Sequence, residues 1–167
     1  MNPETGIVGS FSIDTDDVIQ TTRKVILPIF DKEIRKKLPK TNVFIHGAVM
    51  FRKEVFACAG AYNESFKYVQ DYELWGRIAK LCKLYNLPEV LLIRKITKDS
   101  ISSNPEIMKQ RALFSIKAQL RVIKNLRAPF YNYLFLLDSI FHFLVYKLRL
   151  VRSPLRSKWD LLKIRGS

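Results

Sequence analysis

The 167-residue sequence carries 29 Lys and Arg against 15 Asp and Glu, a formal net charge of +14, and 48% of its residues are hydrophobic. That apolar share excludes a wholly disordered chain, the length suits one domain or one domain with an appendage, and two cysteines, Cys58 and Cys82, cannot build a disulfide scaffold. No cationic, apolar, small-residue leader opens the chain, so reduced and inert thiols in a cytosolic setting are the expectation.

Taken in chain order, Thr5–Phe11 is a short apolar run punctuated by glycine and reads as a buried strand. Ile13 to Asp17 reads as an acidic surface turn. Val18 to Pro39 reads as mainly helical, interrupted by Pro28, with Asp31 placed to cap Lys32–Leu38. After a turn at Pro39–Asn42, the β-branched and aromatic run Val43–Phe51 predicts a central strand. Lys53–Ala59 predicts a short helix stopped by Gly60, and residues 61–69 a loop.

Asp71–Leu84 predicts a helix with Leu74, Ile78 and Leu81 on one face and Asp71 at or near its N-cap. Pro88 breaks the pattern before a strand over Val90–Arg94, and Thr97–Asn104 is polar loop. Pro105 is well placed to begin a helix reaching about Arg127, one without a clean single-sided stripe. Strands alternating with helices argue for an α/β or α+β layer and not a bundle, and the class expected is α/β: a partial mixed sheet with flanking helices, followed by a helical amphipathic C-terminal tail. The domain division expected is 1–104 for the sheet domain and 105–167 for the basic tail.

The charge is lopsided. Residues 1–93 hold 13 basic and 11 acidic side chains, and residues 94–167 hold 16 basic and 4 acidic, a net of +12. Such a field attracts polyanions. Within it, Phe130–Tyr146 has only Asn132, Asp138, Ser139 and His142 as polar members. On a helix these four fall within roughly a third of the circumference. Arg121, Lys124 and Arg127 precede the run, and Lys147, Arg149, Arg152, Arg156 and Lys158 come after it. The pattern predicts a helix over about 130–150 in a membrane interface, its cations on anionic lipid. A helix packed on the globular core is the competing reading, since periodicity does not say what an apolar face touches, and a spanning helix is the third: the run is a little short of the ~20 residues needed, with Asp138 near mid-span. Nucleic acid is not an expected partner: no zinc-finger spacing, strand signature or basic zipper is present, and the aromatics do not alternate with the cations.

Three segments stand in order: Asn42–Lys53 with His46-Gly47, Gly60–Phe66, and Gln70-Asp-Tyr-Glu-Leu-Trp-Gly-Arg77. With Asn86–Leu92, and from Asn2–Ser10 to near Ser102, they resemble the later, acceptor-side half of a family 2 glycosyltransferase of the GT-A fold. The resemblance implies that Asp71 is the general base of an inverting transfer and that His46 and Gly47 border the acceptor pocket. It implies a sugar moved from a nucleotide-diphosphate donor to a hydroxyl of a saccharide or lipid-linked saccharide. Physically, such a base must sit within hydrogen-bond reach of the acceptor hydroxyl, and a carboxylate at a helix start is rigid. Gln70 and Trp75 would complete the acceptor pocket, Trp75 as a flat apolar wall one turn along from Asp71.

The family grips its nucleotide sugar and a divalent metal through an earlier βαβ half and an Asp-x-Asp motif, and the resemblance covers only the portion of the fold beyond that half. The nucleotide-sugar donor and the divalent metal are therefore expected for the complete enzyme, with neither assignable to this chain and no metal ligand expected in it. Asp14-Thr15-Asp16 has the Asp-x-Asp spacing but comes after the Gly-Ile-Val-Gly strand. Relatives often carry a His within the segment here written Ile93–Ser102, and this sequence has none. A separate chain carrying the nucleotide-binding half is one implied partner, and a cytoplasmic, peripheral position on the inner membrane face is the implied location. A non-catalytic truncated remnant and a membrane- or polyanion-binding module remain the alternatives.

Overall fold

A computed structural model of the chain describes residues 3–16, 20–97 and 105–148. The architecture is mixed α/β. Its central strand, β1 (Thr5–Asp16), runs parallel to β4 (Lys83–Ile96) along its whole length. The other edge of β1 is shared: β3 (Met50–Phe51) pairs antiparallel with Ile7 and Val8, and β2 (Thr21–Val25) pairs antiparallel with Ser12–Asp16. The glycines of β1 permit the parallel neighbour to close in, because a Cβ on Gly6 would collide with Cys82 and one on Gly9 with Asn86.

Helices α1 (Asp31–Lys37), α2 (Lys53–Ala59), α3 (Gln70–Ile78) and α4 (Pro105–Asn125) complete the domain. The core joins Ile7 and Leu84 of the sheet to Ile34 and Leu38, to Leu74, Trp75 and Ile78 of α3, and to Ala118 and Val122 of α4. Close approach of α3 and α4 rests on Gly76, whose ideal Cβ would lie 2.7 Å from Val122 Cγ2. Beyond α4, a 3₁₀ turn over Phe130–Leu134 leads into α5 (Phe135–Lys147), which packs on α4.

Strand β1 outruns its expected end. Ile13–Asp16 is strand and not a surface turn, and the Asp14 side chain is only 2% exposed. Residues 21–25 are strand and not helix, because the distal edge of β1 is open to Thr22 and Val25, residues suited to a pleat. Conversely, the strand expected over Val43–Phe51 is mostly absent. Val43, Phe44 and Ile45 are buried in succession, His46–Ala48 turns as a 3₁₀ helix, and only Met50–Phe51 pairs. Only the end of the β-prone run reaches β1, beside Ile7 and Val8, and its first residues serve as packing instead of as a ladder.

Helix α3 ends at Ile78, well short of Leu84, and leaves Leu81 exposed. Arg35 caps that end, donating to the carbonyls of Ala79 and Cys82 while its Nε bonds Asp31 at 2.8 Å. Asp31 does not cap α1 by its side chain; its other oxygen accepts from the Leu84 amide at 2.9 Å. Strand β4 runs through Pro88, and the register slips there from Ser10 opposite Leu87 to Phe11 opposite Val90, a bulge that tolerates a residue with no N–H. Helix α2 stops at Gly60 with φ 82°, and α4 runs from Pro105, both as the sequence implies. Most of the polar loop expected over Thr97–Asn104, and the cations from Arg149 onward, lie outside the described residues.

Candidate active site

The site gathers at the first turn of α3. Val69 precedes that helix in a left-handed conformation, φ 54°, which is rare for a β-branched side chain. Gln70 is its first residue and Asp71 its second, so the Asp71 carboxylate stands among the helix's free N–H groups, at the positive end of its dipole. Asn42 holds one carboxylate oxygen: its Nδ2 donates to Asp71 Oδ2 at 2.9 Å. The Asn42 amide is itself oriented, since its Oδ1 accepts from the Phe44 backbone N–H at 3.2 Å. Among the described residues nothing donates to the second oxygen, Asp71 Oδ1.

Two rings border the carboxylate. His46 Nδ1 lies 3.9 Å from Asp71 Oδ2, with the imidazole 54% exposed and the carboxylate 18% exposed. Tyr62 stacks on His46, ring centroids 5.8 Å apart and planes 8° off parallel. Burial first, then the negative charge of Asp71, pushes the Tyr62 phenol above its usual value, which places phenol and carboxylate within electrostatic reach of each other. Gly47 is exposed beside His46.

The segment carrying Asn42 and His46 is pinned from below. Asn86, fully buried in β4, donates through Nδ2 to the carbonyls of Pro28 at 2.8 Å and Val43 at 3.1 Å. From behind, Gln119 of α4 donates to the Pro39 carbonyl at 3.0 Å. Helix α3 is fixed from its other side: buried Glu73 pairs with Arg77 at 2.9 Å and Arg121 at 3.3 Å, and Arg77 also bonds the carbonyls of Ala59 and Ala61. These contacts hold the loop that carries Tyr62 against the helix that carries Asp71.

Of the residues singled out in the sequence, Asp71, His46 and Gly47 come together. Gln70 is adjacent and half-buried. Trp75 does not line the recess: it is 0% exposed, packed among Phe44, Phe51 and His46 with centroid distances of 5.8, 6.4 and 6.4 Å. Its position one turn along α3 points it down into the core, so it supports His46 from beneath and offers no face to a sugar. Asn42 and Tyr62 were not singled out, although both lie within the segments that carry the family resemblance. An amide four residues before the His, and an aromatic beside Gly60, are signals too common to rank alone.

The Asp14-Thr15-Asp16 triplet does not fit a metal. Asp14 is consumed by Arg94, whose Nε and Nη2 donate at 2.9 and 2.6 Å, and by Arg23 at 3.4 Å. Among the described residues no group of three or more His, Cys, Asp and Glu could hold a metal ion.

Comparison with known proteins bears on the same chemistry. The chain is similar to two glycosyltransferases. Over 134 residues, 78% of this chain and 50% of the relative, it is 29% identical to the amylovoran biosynthesis glycosyltransferase AmsE of Erwinia amylovora. Over 106 residues, 60% of this chain and 41% of the relative, it is 32% identical to the O-antigen biosynthesis glycosyltransferase WbnJ of Escherichia coli. The chain thus spans about half the length of the curated relatives it matches. No protein-family model matches the sequence.

Proposed function

We propose that this chain is the acceptor side of an inverting glycosyltransferase of family 2 and GT-A type. The acceptor is a hydroxyl of a saccharide or lipid-linked saccharide, and Asp71 is the base. One observation carries the reading: in a chain similar to two glycosyltransferases, a carboxylate at a helix start has one oxygen oriented by Asn42 and the other open.

In the reaction proposed, Asp71 Oδ1 accepts the proton of the acceptor hydroxyl as that oxygen forms its bond to the anomeric carbon. The bond from that carbon to the nucleotide diphosphate breaks in the same displacement, which inverts the configuration. Asn42 keeps the carboxylate from rotating away, and His46, stacked on Tyr62 above buried Trp75, gives a firm edge against which a sugar ring can settle. The donor is bound by a part of the enzyme other than the residues described, in the same protein or in a separate chain.

The test is nucleotide release by a preparation containing both this chain and the donor-binding part. Asp71→Asn preserves shape and the Asn42 contact but removes the proton acceptor. Turnover is expected to fall by about 10²–10⁴, with acceptor binding retained. Unchanged turnover would remove Asp71 from the role of base.

A further inference from the structure

We infer that the outward face of α5 and of the 3₁₀ turn before it lies in the interface of an anionic lipid bilayer, a docking independent of the transfer chemistry. Two of the four polar members of this run turn inward, while Asp138, 46% exposed, and His142 beside it mark one edge of the outward face. Asn132 is buried and donates to the Pro129 carbonyl at 2.9 Å, and Ser139 donates to Gln119 Oε1 of α4 at 2.9 Å, with buried Leu136 between them. That inward stripe leaves the opposite side to Phe130, Leu134, Leu137, Phe141, Leu144 and Leu148, of which Phe130 is 85% and Leu137 61% exposed. Soluble proteins seldom leave so continuous an apolar strip open to water.

The charge around the strip chooses its occupant. Residues 105–148 contain seven Lys and Arg against two acids, Glu106 and Asp138, and six more Lys and Arg against one Asp lie in residues 149–167. Beside the strip, a cleft of about 280 Å³ opens between the end of α1 and the turn after α4, lined by Arg35, Lys36, Arg127 and Tyr131 among others. Arg35 is spent on Asp31 and two carbonyls, while Lys36 and Arg127 are exposed. Tyr131 belongs both to the cleft wall and to the exposed run, so an apolar tail on the strip can share one molecule with a phosphate in the cleft.

Other occupants fit worse. A second copy would bring Lys36, Lys124 and Arg127 toward their own like charges, and nucleic acid offers nothing to cover leucine side chains. The geometry sets the helix in the plane of the surface. Thirteen residues of α-helix extend about 20 Å, short of a hydrocarbon core about 30 Å thick, and among the described residues no helix is long and apolar enough to cross a membrane.

The test is co-sedimentation of the full chain with vesicles of phosphatidylcholine alone and of phosphatidylcholine with phosphatidylglycerol. Strong binding is expected only to the anionic vesicles, weakening as salt rises. The variant F130S/L137S/F141S, altered only at exposed positions, and the variant K36E/R127E should each lose at least about tenfold of that binding with unchanged circular dichroism. Free inorganic phosphate competes if the cleft binds phosphate alone, and the apolar variant would then bind vesicles like the parent. That result, equal binding to neutral vesicles, or a dimer that the apolar variant abolishes in a chain that ignores vesicles would each overturn the inference.

Discussion

Replacing Arg94 by leucine tests how the sheet is locked at its far end. Arg23, Asp14 and Arg94 stand side by side on β2, β1 and β4, so one buried carboxylate sits between two guanidinium groups in a single cross-strand row. Asp14 is 2% exposed and accepts two hydrogen bonds from Arg94, one long contact from Arg23, and one from the Ser12 hydroxyl at 3.2 Å. Burial by itself would raise its pKa. Arg94, through hydrogen bonds and charge, and then Arg23 outweigh burial and hold the carboxyl below its ordinary 3.8.

Removing one partner of a fully buried pair costs about 3–5 kcal/mol. Arg94 is 47% exposed and Arg23 remains, so about 2 kcal/mol is the expectation for Arg94→Leu at pH 7. For a chain of this length that lowers the melting temperature by roughly 4–8 °C. The pH dependence is set by the sign of the shift. A carboxyl depressed in the folded state contributes its stability above the unfolded value and loses it as pH falls through the folded one. The gap between parent and variant should therefore be widest above about pH 4 and should narrow as pH falls below it. Urea titrations of both proteins at several pH values measure it. A cost under about 0.5 kcal/mol at pH 7, or a gap that ignores pH, would refute the pairing.

Three further perturbations probe the site and its support. Trp75→Phe should change stability by no more than about 1 kcal/mol, because the buried indole N–H has no partner among the described residues and its removal offsets part of the lost packing; Trp75→Ala should cost about 3–5 kcal/mol. A Phe variant as damaging as the Ala variant in chemical denaturation would show that the indole N–H is satisfied. Gly76→Ala should cost about 1–3 kcal/mol despite the better helix propensity of alanine, and Val122→Ala in the same chain should restore part of it, as thermal melts would show. The Tyr62 phenol should titrate at lower pH in Asp71→Asn than in the parent, since one of the two causes raising it is gone; ring-labelled tyrosine NMR reads this directly, and an unmoved midpoint would separate the two groups.

What the sequence disclosed and what it hid divide along physical lines. Helix α2 with Gly60, the start of α4 at Pro105 and the Gln70-Asp71 helix start are readable because caps and breakers act over a few residues. The fate of residues 21–25 and 43–51 was not readable, because it depends on which stretch of β1 each can reach. Asp14 looked like a surface acid because its main partner, Arg94, is 80 residues away. Trp75 looked like a wall because helical spacing puts it on the side of Asp71, but spacing carries no information about depth. Asn42 and Tyr62 meet the site only through the fold of the loop and turn that carry them, a tertiary fact with no local signature.

The candidate site and the apolar strip are not separate features attached to one domain. Helix α4 lies between them and touches both sides. Toward the site, Val122 packs on Gly76 and Arg121 pairs with Glu73, fixing α3 and hence Asp71. From the same helix, Gln119 holds the Pro39 carbonyl three residues before Asn42, while its own Oε1 takes the Ser139 hydroxyl of α5. One glutamine thus ties the segment that orients the carboxylate to the helix that carries the strip. Each link is a direct contact through α4, so a surface engaging α5 would bear on the height and tilt of the Asp71 recess. For a lipid-linked acceptor, whose sugar stands at a fixed distance from the bilayer, that linkage would do part of the positioning that a free saccharide would need binding contacts to supply.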